Sequence, residues 1–400
     1  MARIKNLDPR EALIKIFNRP VLDITTPDLK EYRPLPRRRP KAGALNSKTQ
    51  AESTAQSRAP SYRRKARTNS PRTSMSSHLV DVTTAQAERL PRYRRASTEV
   101  ACVLTPRDLD ILRLVESFRL LTSEHLQLLV PGSDQGMLRR LQILFHAGLL
   151  DRLRPRFAKG GGSAKMVYAI TNRGVQMLQK EGLIQNPSKT DWNAQNRDLH
   201  DLSIAHTLLI SHIRAMFLLA CQRTQTQDSA KPCNATFTRD CQAEPKPEPE
   251  MQFLFWREGR ELLDTIEVTL PEKYATVPVA PDGFFGLRDA KGRLYFFVEA
   301  DRGTMTLKRF ALKLKAYAAY SRAEKHKEKF GIQKFRVLTV TSSRARCKNL
   351  VQAAAAAEDV RELGRLFLFA TEKDLPLSSP ESVLTKIWTV PGKEAPCALL

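Results

Sequence analysis

The run Leu294-Tyr295-Phe296-Phe297-Val298-Glu299 constrains this chain more than any other feature of its sequence. Successive side chains of a strand face opposite ways, so a strand apolar at nearly every position needs cover on both sides. It belongs in the middle of a sheet with helices above and below. The surrounding pattern agrees. Strand candidates Phe253–Arg257, Ile266–Thr269 and Pro281–Leu287 precede it, with a turn at Asp289-Ala290-Lys291-Gly292. The spacing then predicts a helix over Met305–Ser321, a strand over Phe335–Thr341, a helix over Ala345–Ala357 and a strand over Leu366–Ala370. Such alternation implies an α/β, mixed-sheet core, α+β when the whole chain is counted.

A second unit is expected upstream, at 104–181. Thr105 and Asp108 read as a helix start with Pro106 in the first turn, and Leu109, Leu112, Val115 and Phe118 recur at helical spacing. A short helix over Ser123–Leu129 stops at Pro131-Gly132. A third helix, Ser133 to about Ala147, turns Leu138, Leu141, Leu144 and Phe145 inward and ends at Gly148. Two strand-like pieces, Leu149–Phe157 and Lys165–Ile170, flank Lys159-Gly160-Gly161-Gly162-Ser163, and a helix over Asn172–Glu181 closes the unit. Three helices followed by a glycine-tipped hairpin is the plan of a winged helix-turn-helix, whose third helix would enter the major groove. Gln135, Arg139, Gln142 and His146 form one polar face of that helix, with Arg140 beside them; Arg and Gln can pair with guanine and adenine edges. Arg152, Arg154, Arg156, Lys159 and Lys165 on the hairpin suit phosphate contacts.

Charge supports the same reading. Lys and Arg outnumber Asp and Glu by 24, and the first hundred residues hold 22 of the bases against 9 acids. Two clusters lie there, Arg37-Arg38-Arg39-Pro40-Lys41 and Arg63-Arg64-Lys65-Ala66-Arg67, among Ser, Thr, Pro and Ala. So few large apolar residues cannot build a core, and residues 1–100 read as a disordered basic arm for a polyanion. Residues 182–197 read as a linker. The second domain spans 198–391, opening with a helix over about Asp198–Cys221 and carrying a polar insertion at 222–250. The six cysteines are scattered without paired spacing, so no zinc is expected, and a reducing, cytoplasmic setting follows. No glycine loop has the form that cradles a nucleotide. Ile204–Cys221, interrupted by His206, Ser211, His212 and Arg214, reads as a buried helix rather than a membrane span. His200, His206 and His212 recur every six residues and cannot share one helix face, which argues against a three-histidine metal site.

The buried strand ends in Glu299-Ala300-Asp301-Arg302, and the strand before it begins at Pro281-Asp282. Carboxylates at the end of buried strands need neutralising, and a divalent metal does this well. Pro281-Asp282 followed by Glu299-x-Asp301 resembles the PD-(D/E)xK motif of restriction-endonuclease-like folds. The fuller run Pro281-Asp-Gly-Phe-Phe, Phe297-Val-Glu-Ala-Asp-Arg-Gly-Thr304 and Lys313-Leu-Lys-Ala-Tyr317 is similar to the replication-relaxation family of plasmids and integrative elements, over about 104–391. The resemblance implies a winged helix joined to a nuclease-like core. It implies double-stranded DNA as partner, in plasmid mobilisation or replication, with relaxosome proteins, a coupling ATPase or a second copy of the chain as further candidates. It implies DNA processing without fixing catalysis; the carboxylates themselves suit Mg²⁺, or Mn²⁺ in its place, held by Asp282, Glu299 and Asp301, with nicking as the preferred activity. The usual motif lysine is replaced by Asp301, and Lys313 on the following helix is the expected substitute. Two alternatives stay open: Lys313 as a structural partner of Glu299 or Asp301, and a non-catalytic DNA-binding factor or regulator whose carboxylates pair with Arg302.

Overall fold

The computed structural model describes residues 92–96, 102–154, 165–185, 190–229, 251–270 and 273–400. The basic-arm positions Arg37, Arg38, Arg39, Arg63, Arg64 and Lys65, the hairpin positions Arg156 and Lys159, and residues 230–250 of the expected insertion lie outside the described residues.

Helix α1 (Pro106–Phe118) starts where the capping signal predicts. The Thr105 side chain accepts from the Asp108 amide while the Asp108 carboxylate accepts from the Thr105 amide. Strand β1 (Leu120–Thr122), α2 (Ser123–Leu129), α3 (Asp134–His146), β2 (Leu150–Leu153), β3 (Val167–Ile170) and α4 (Asn172–Lys180) follow. The strands form an antiparallel sheet in the order β1-β3-β2. In α3 the inward stripe is Met137, Leu141, Leu144 and Phe145; Leu138, expected inside, is 45% exposed. Helical phase explains this, since Met137, Leu141 and Leu144 stand at i, i+4 and i+7 and Leu138 falls at the edge of their stripe. His146, expected on the polar face, is buried with Nδ1 accepting from the Ala96 amide at 3.0 Å.

Arg140 binds inward as well. Its Nη2 lies 2.5 Å and its Nε 2.8 Å from Asp108, which has no exposed surface. Burial alone would raise the Asp108 pKa, but the Arg140 and Thr105 donors hold it below the usual range. This pair clamps α3 to the first turn of α1. Arg140→Ala should strand a buried carboxylate and lower stability by roughly 3 kcal/mol, read as the shift in a urea unfolding midpoint.

The stretch expected as a linker contains helix α5 (Trp192–Asp198), capped by Asp191. Trp192 is buried beneath the Arg119 guanidinium, 4.9 Å from the ring centre. Asn196 reaches back to Asp151 and to the Ile170 carbonyl, both at 2.8 Å. Helix α6 (Asp201–Ser229) then runs eight residues beyond the expected end. Its stretch Asp201–Thr224 is long and apolar enough to cross a membrane by composition, yet most of it is buried inside the protein.

The core sheet comprises β4 (Met251–Arg257), β7 (Gly283–Asp289), β8 (Gly292–Asp301), β9 (Arg336–Thr341) and β10 (Phe367–Thr371). Its order is β10-β9-β8-β7-β4, with β8 central, antiparallel to β7 and parallel to β9. A separate ribbon, β5 (Asp264–Leu270) with β6 (Lys273–Val279), includes a strand that alternation did not reveal. Helices α7 (Leu307–Arg322), α8 (Lys325–Phe330), α9 (Arg344–Ala356) and α10 (Glu358–Arg361) complete the elements named here. The two faces of β8 go to two cores. Phe296, Val298 and Ala300 join a cluster with α6 residues such as Ile213 and Phe217, which continues to Ile111 and Leu141 of the first unit. Phe297 joins Phe310, Leu314 and Tyr317 of α7 and Leu350 of α9. This is the cover on both sides that the apolar run requires.

Candidate functional site

The register of β7 and β8 brings the first two carboxylates together. Asp282 lies just before β7; its amide donates to the Val298 carbonyl at 2.9 Å, and its Oδ2 accepts from the Ala300 amide at 2.8 Å. Gly283 beside it is pressed against Trp256: a Cβ there would meet the indole at 2.7 Å, so only glycine allows this approach. Glu299 is 5% exposed and points to the α7 face. From α7, one turn apart, Lys313 pairs with Glu299 Oε2 and the Tyr317 hydroxyl donates to Oε1 at 2.5 Å. From α6, His206 Nε2 lies 3.3 Å from Asp282 Oδ2. Half-buried Glu258, just beyond β4, accepts from the Trp256 indole and is electrostatically linked to Asp282 and His206.

These groups perturb one another. Burial lifts the Glu299 carboxyl to about 7; Lys313 pulls it down and the Asp282 charge pushes it up. Burial would lower the Lys313 ammonium, yet Glu299 and Asp282 raise it above its ordinary value. The adjoining Asp282 carboxylate raises His206 against the opposing effect of burial. Burial likewise raises Glu258, opposed by Arg214. Lys313, His206 and Arg214 are the cationic groups that face these carboxylates.

Asp301 does not join the pair. Arg346 of α9 grips both its oxygens at 3.0 Å, and the Thr341 hydroxyl donates to one at 2.7 Å. The expected three-carboxylate set is corrected accordingly: Glu299 and Asp301 do share a side of β8, but different helices neutralise them. Arg302 pairs with Glu372 at 3.0 Å rather than with the strand carboxylates. Among the described residues no three His, Cys, Asp or Glu side chains are arranged to hold one ion. A divalent ion would rest on Asp282 and Glu299, completing its shell with water and phosphate as Mg²⁺ commonly does. The donor set fits this. Asp282 Oδ1 has no hydrogen-bond partner among the described residues, and an ion on Glu299 would displace Lys313 or Tyr317, which hold its two oxygens.

The expected DNA-contact residues fall into two groups. Gln135, Arg139 and Arg154 are exposed and Gln142 is half-buried. Arg152 is turned inward, its guanidinium 4.5 Å from the Phe145 ring centre and bonded to the Arg92 carbonyl at 2.9 Å. Lys165 is exposed but paired with Glu124. Sequence reasoning missed His206, Tyr317 and Glu258 as members of the site. Tyr317 carried a usable signal, because it stands four residues after Lys313 and shares its helix side. His206 carried none, since helical phase does not say which strand a helix will cross.

Comparison with known proteins adds a family. The profile of the replication-relaxation family matches residues 112–334. A search of curated proteins returns no match. Among solved structures, the restriction endonuclease FokI is similar at 11% identity and a TM-score of 0.21, over 70% of this chain and 45% of that one. The chain thus spans under half of FokI, and the likeness is too slight to build on. The family match covers more than half of the chain, from α1 through α6 and the Asp282/Glu299/Lys313 cluster to the residues before β9, and the chain belongs to the replication-relaxation family.

Proposed function

We propose that this protein binds duplex DNA of a mobile genetic element and nicks it at the Asp282/Glu299/Lys313 site with Mg²⁺, in mobilisation or replication. The observation that carries this reading is the carboxylate pair at the ends of β7 and β8, Glu299 buried and Asp282 half-buried, with a lysine against Glu299. A divalent ion held there would polarise a phosphate and acidify an attacking water. Lys313 offers a cation beside the reacting phosphate. Arg309, one turn further out on α7 and exposed, offers another for the neighbouring DNA backbone. The order α1-β1-α2-α3-β2-β3 with its three-stranded sheet supports reading residues 104–181 as a winged helix. Exposed Gln135 and Arg139 on α3 support it as the DNA reader.

The test is relaxation of supercoiled plasmid carrying the element's own origin. Nicking is expected with Mg²⁺ or Mn²⁺ and none with EDTA; origin binding without divalent-dependent nicking would overturn the enzymatic reading. Arg139→Ala should change which sequence is bound, whereas Arg154→Ala should weaken binding to all sequences and reduce the salt slope by about 0.9. One observation favours a second reading, a non-catalytic accessory factor: both Glu299 oxygens already hold protein donors. Under it, Asp282→Asn leaves origin binding and element maintenance untouched.

A further inference from the structure

We propose that His206 is a positioning residue that turns the Asp282 carboxylate so that one oxygen faces the metal. The assignment rests on reading Asp282 and Glu299 as a metal-holding pair. Asp282 Oδ2 accepts from the Ala300 amide at 2.8 Å, and His206 Nε2 stands 3.3 Å from the same oxygen as its ion-pair partner. A single backbone amide leaves a carboxylate free to rock about its Cβ–Cγ bond; the attraction of an imidazole beside the same oxygen opposes that motion. The outcome is asymmetric: Oδ2 is occupied, and Oδ1 has no partner among the described residues. Donors that orient a ligand in this way raise metal affinity without touching the metal.

The imidazole is itself well anchored. It projects from α6, whose Ile204, Leu209 and Ile213 are buried. Two residues of the same helix bind backbone carbonyls at the end of α1: Ser211 donates to Phe118 at 3.0 Å and Arg214 to Ser117 at 2.6 Å. His206 therefore approaches from a fixed rod rather than from a loop. Its side chain is 39% exposed, so its substitution need not open a cavity. Glu299 is treated in the corresponding way from the other side of the sheet, with Tyr317 and Lys313 of α7 taking one oxygen each. Each carboxylate is thus set by a helix on a different face.

The experiment measures Mn²⁺ binding by titration calorimetry, with no DNA present, on the full chain and on His206→Leu, His206→Gln and Asp282→Asn. His206→Leu is expected to weaken Mn²⁺ by about tenfold to a hundredfold. His206→Gln keeps an N–H donor and should recover affinity to within about threefold of the parent. Nicking rates should follow the affinities, and melting in EDTA should stay within a few degrees of the parent. Unchanged affinity in His206→Leu, with Asp282→Asn impaired, overturns the role of His206 alone. Equal damage from Leu and Gln, with a lost limb in the pH–rate profile, would replace positioning by proton transfer and also overturn it. Binding that Asp282→Asn leaves intact, or no binding by the parent, overturns the metal reading itself.

Discussion

Asp282→Asn should reduce strand nicking by roughly a hundredfold to a thousandfold, equivalent to about 2.7–4 kcal/mol of transition-state stabilisation. The substitution suits the question because it preserves shape. An asparagine carbonyl can still accept from the Ala300 amide, so the start of β7 stays tied to β8. What disappears is one negative charge and one anionic oxygen. The loss also relieves the repulsion that helps lift Glu299, so the Glu299 carboxyl should ionise more easily in the variant. DNA affinity should not fall, because the exposed Gln135 and Arg139 lie on another element, and removing a negative charge does not repel phosphate. Plasmid relaxation and a gel-shift titration on the same preparation separate the two effects. Equal nicking by parent and variant would remove Asp282 from the chemistry.

Stability of the metal-free protein should fall as the pH rises from about 4.5 to 7, in proportion to the ionisation of Glu299. In the unfolded chain this carboxyl has its ordinary value near 4.5, and in the folded protein it lies at about 7. Between these values the folded state holds a proton that the unfolded state has shed, so the contribution is complete below 4.5 and is lost through 7. The loss is on the order of 3 kcal/mol. His206, raised by Asp282, and Glu258, raised by burial, act in the same direction. His125, lowered to about 3 by burial, and His212, also lowered, act oppositely, since folding keeps them neutral where the unfolded chain would protonate them. The measurement is therefore the difference between parent and Glu299→Gln in urea midpoints at pH 5 and pH 8, with EDTA present. The variant should show the flatter profile. Identical profiles would mean that Glu299 ionises normally. Lys313 titrates above this window and does not confuse it.

The expected elements and the observed ones differ in instructive places. Helix α7 was legible at Met305–Ser321 because Phe310, Leu314 and Tyr317 repeat at helical spacing, and the observed Leu307–Arg322 departs only at its ends. Strand β6 was not legible because Pro278 interrupts the pattern; the strand pairs with β5 and buries Val277 and Val279 in the core. Helix α5 was hidden among Asn193, Asn196 and Asp198, residue types that disfavour helix interiors. It is held by Trp192 under Arg119 and by Asn196 against Asp151, contacts to residues distant in the chain.

Local chemistry alone determined that β8 is central, that helices cover both of its faces, and that Asp282, Glu299 and Lys313 are worth suspecting. Each follows from side-chain direction along a strand or helix, a property of neighbours in sequence. Only the tertiary structure decided which charge neutralises which. Arg346, 45 residues from Asp301, takes that carboxylate out of the expected metal set. Arg140, 32 residues from Asp108, is spent on holding α3 to α1 rather than offered to DNA. His206 reaches Asp282 from a helix that sequence periodicity could place only as buried. Periodicity fixes the side of an element on which a group lies. Its partner is set by where two elements cross, and that depends on the packing of the whole core.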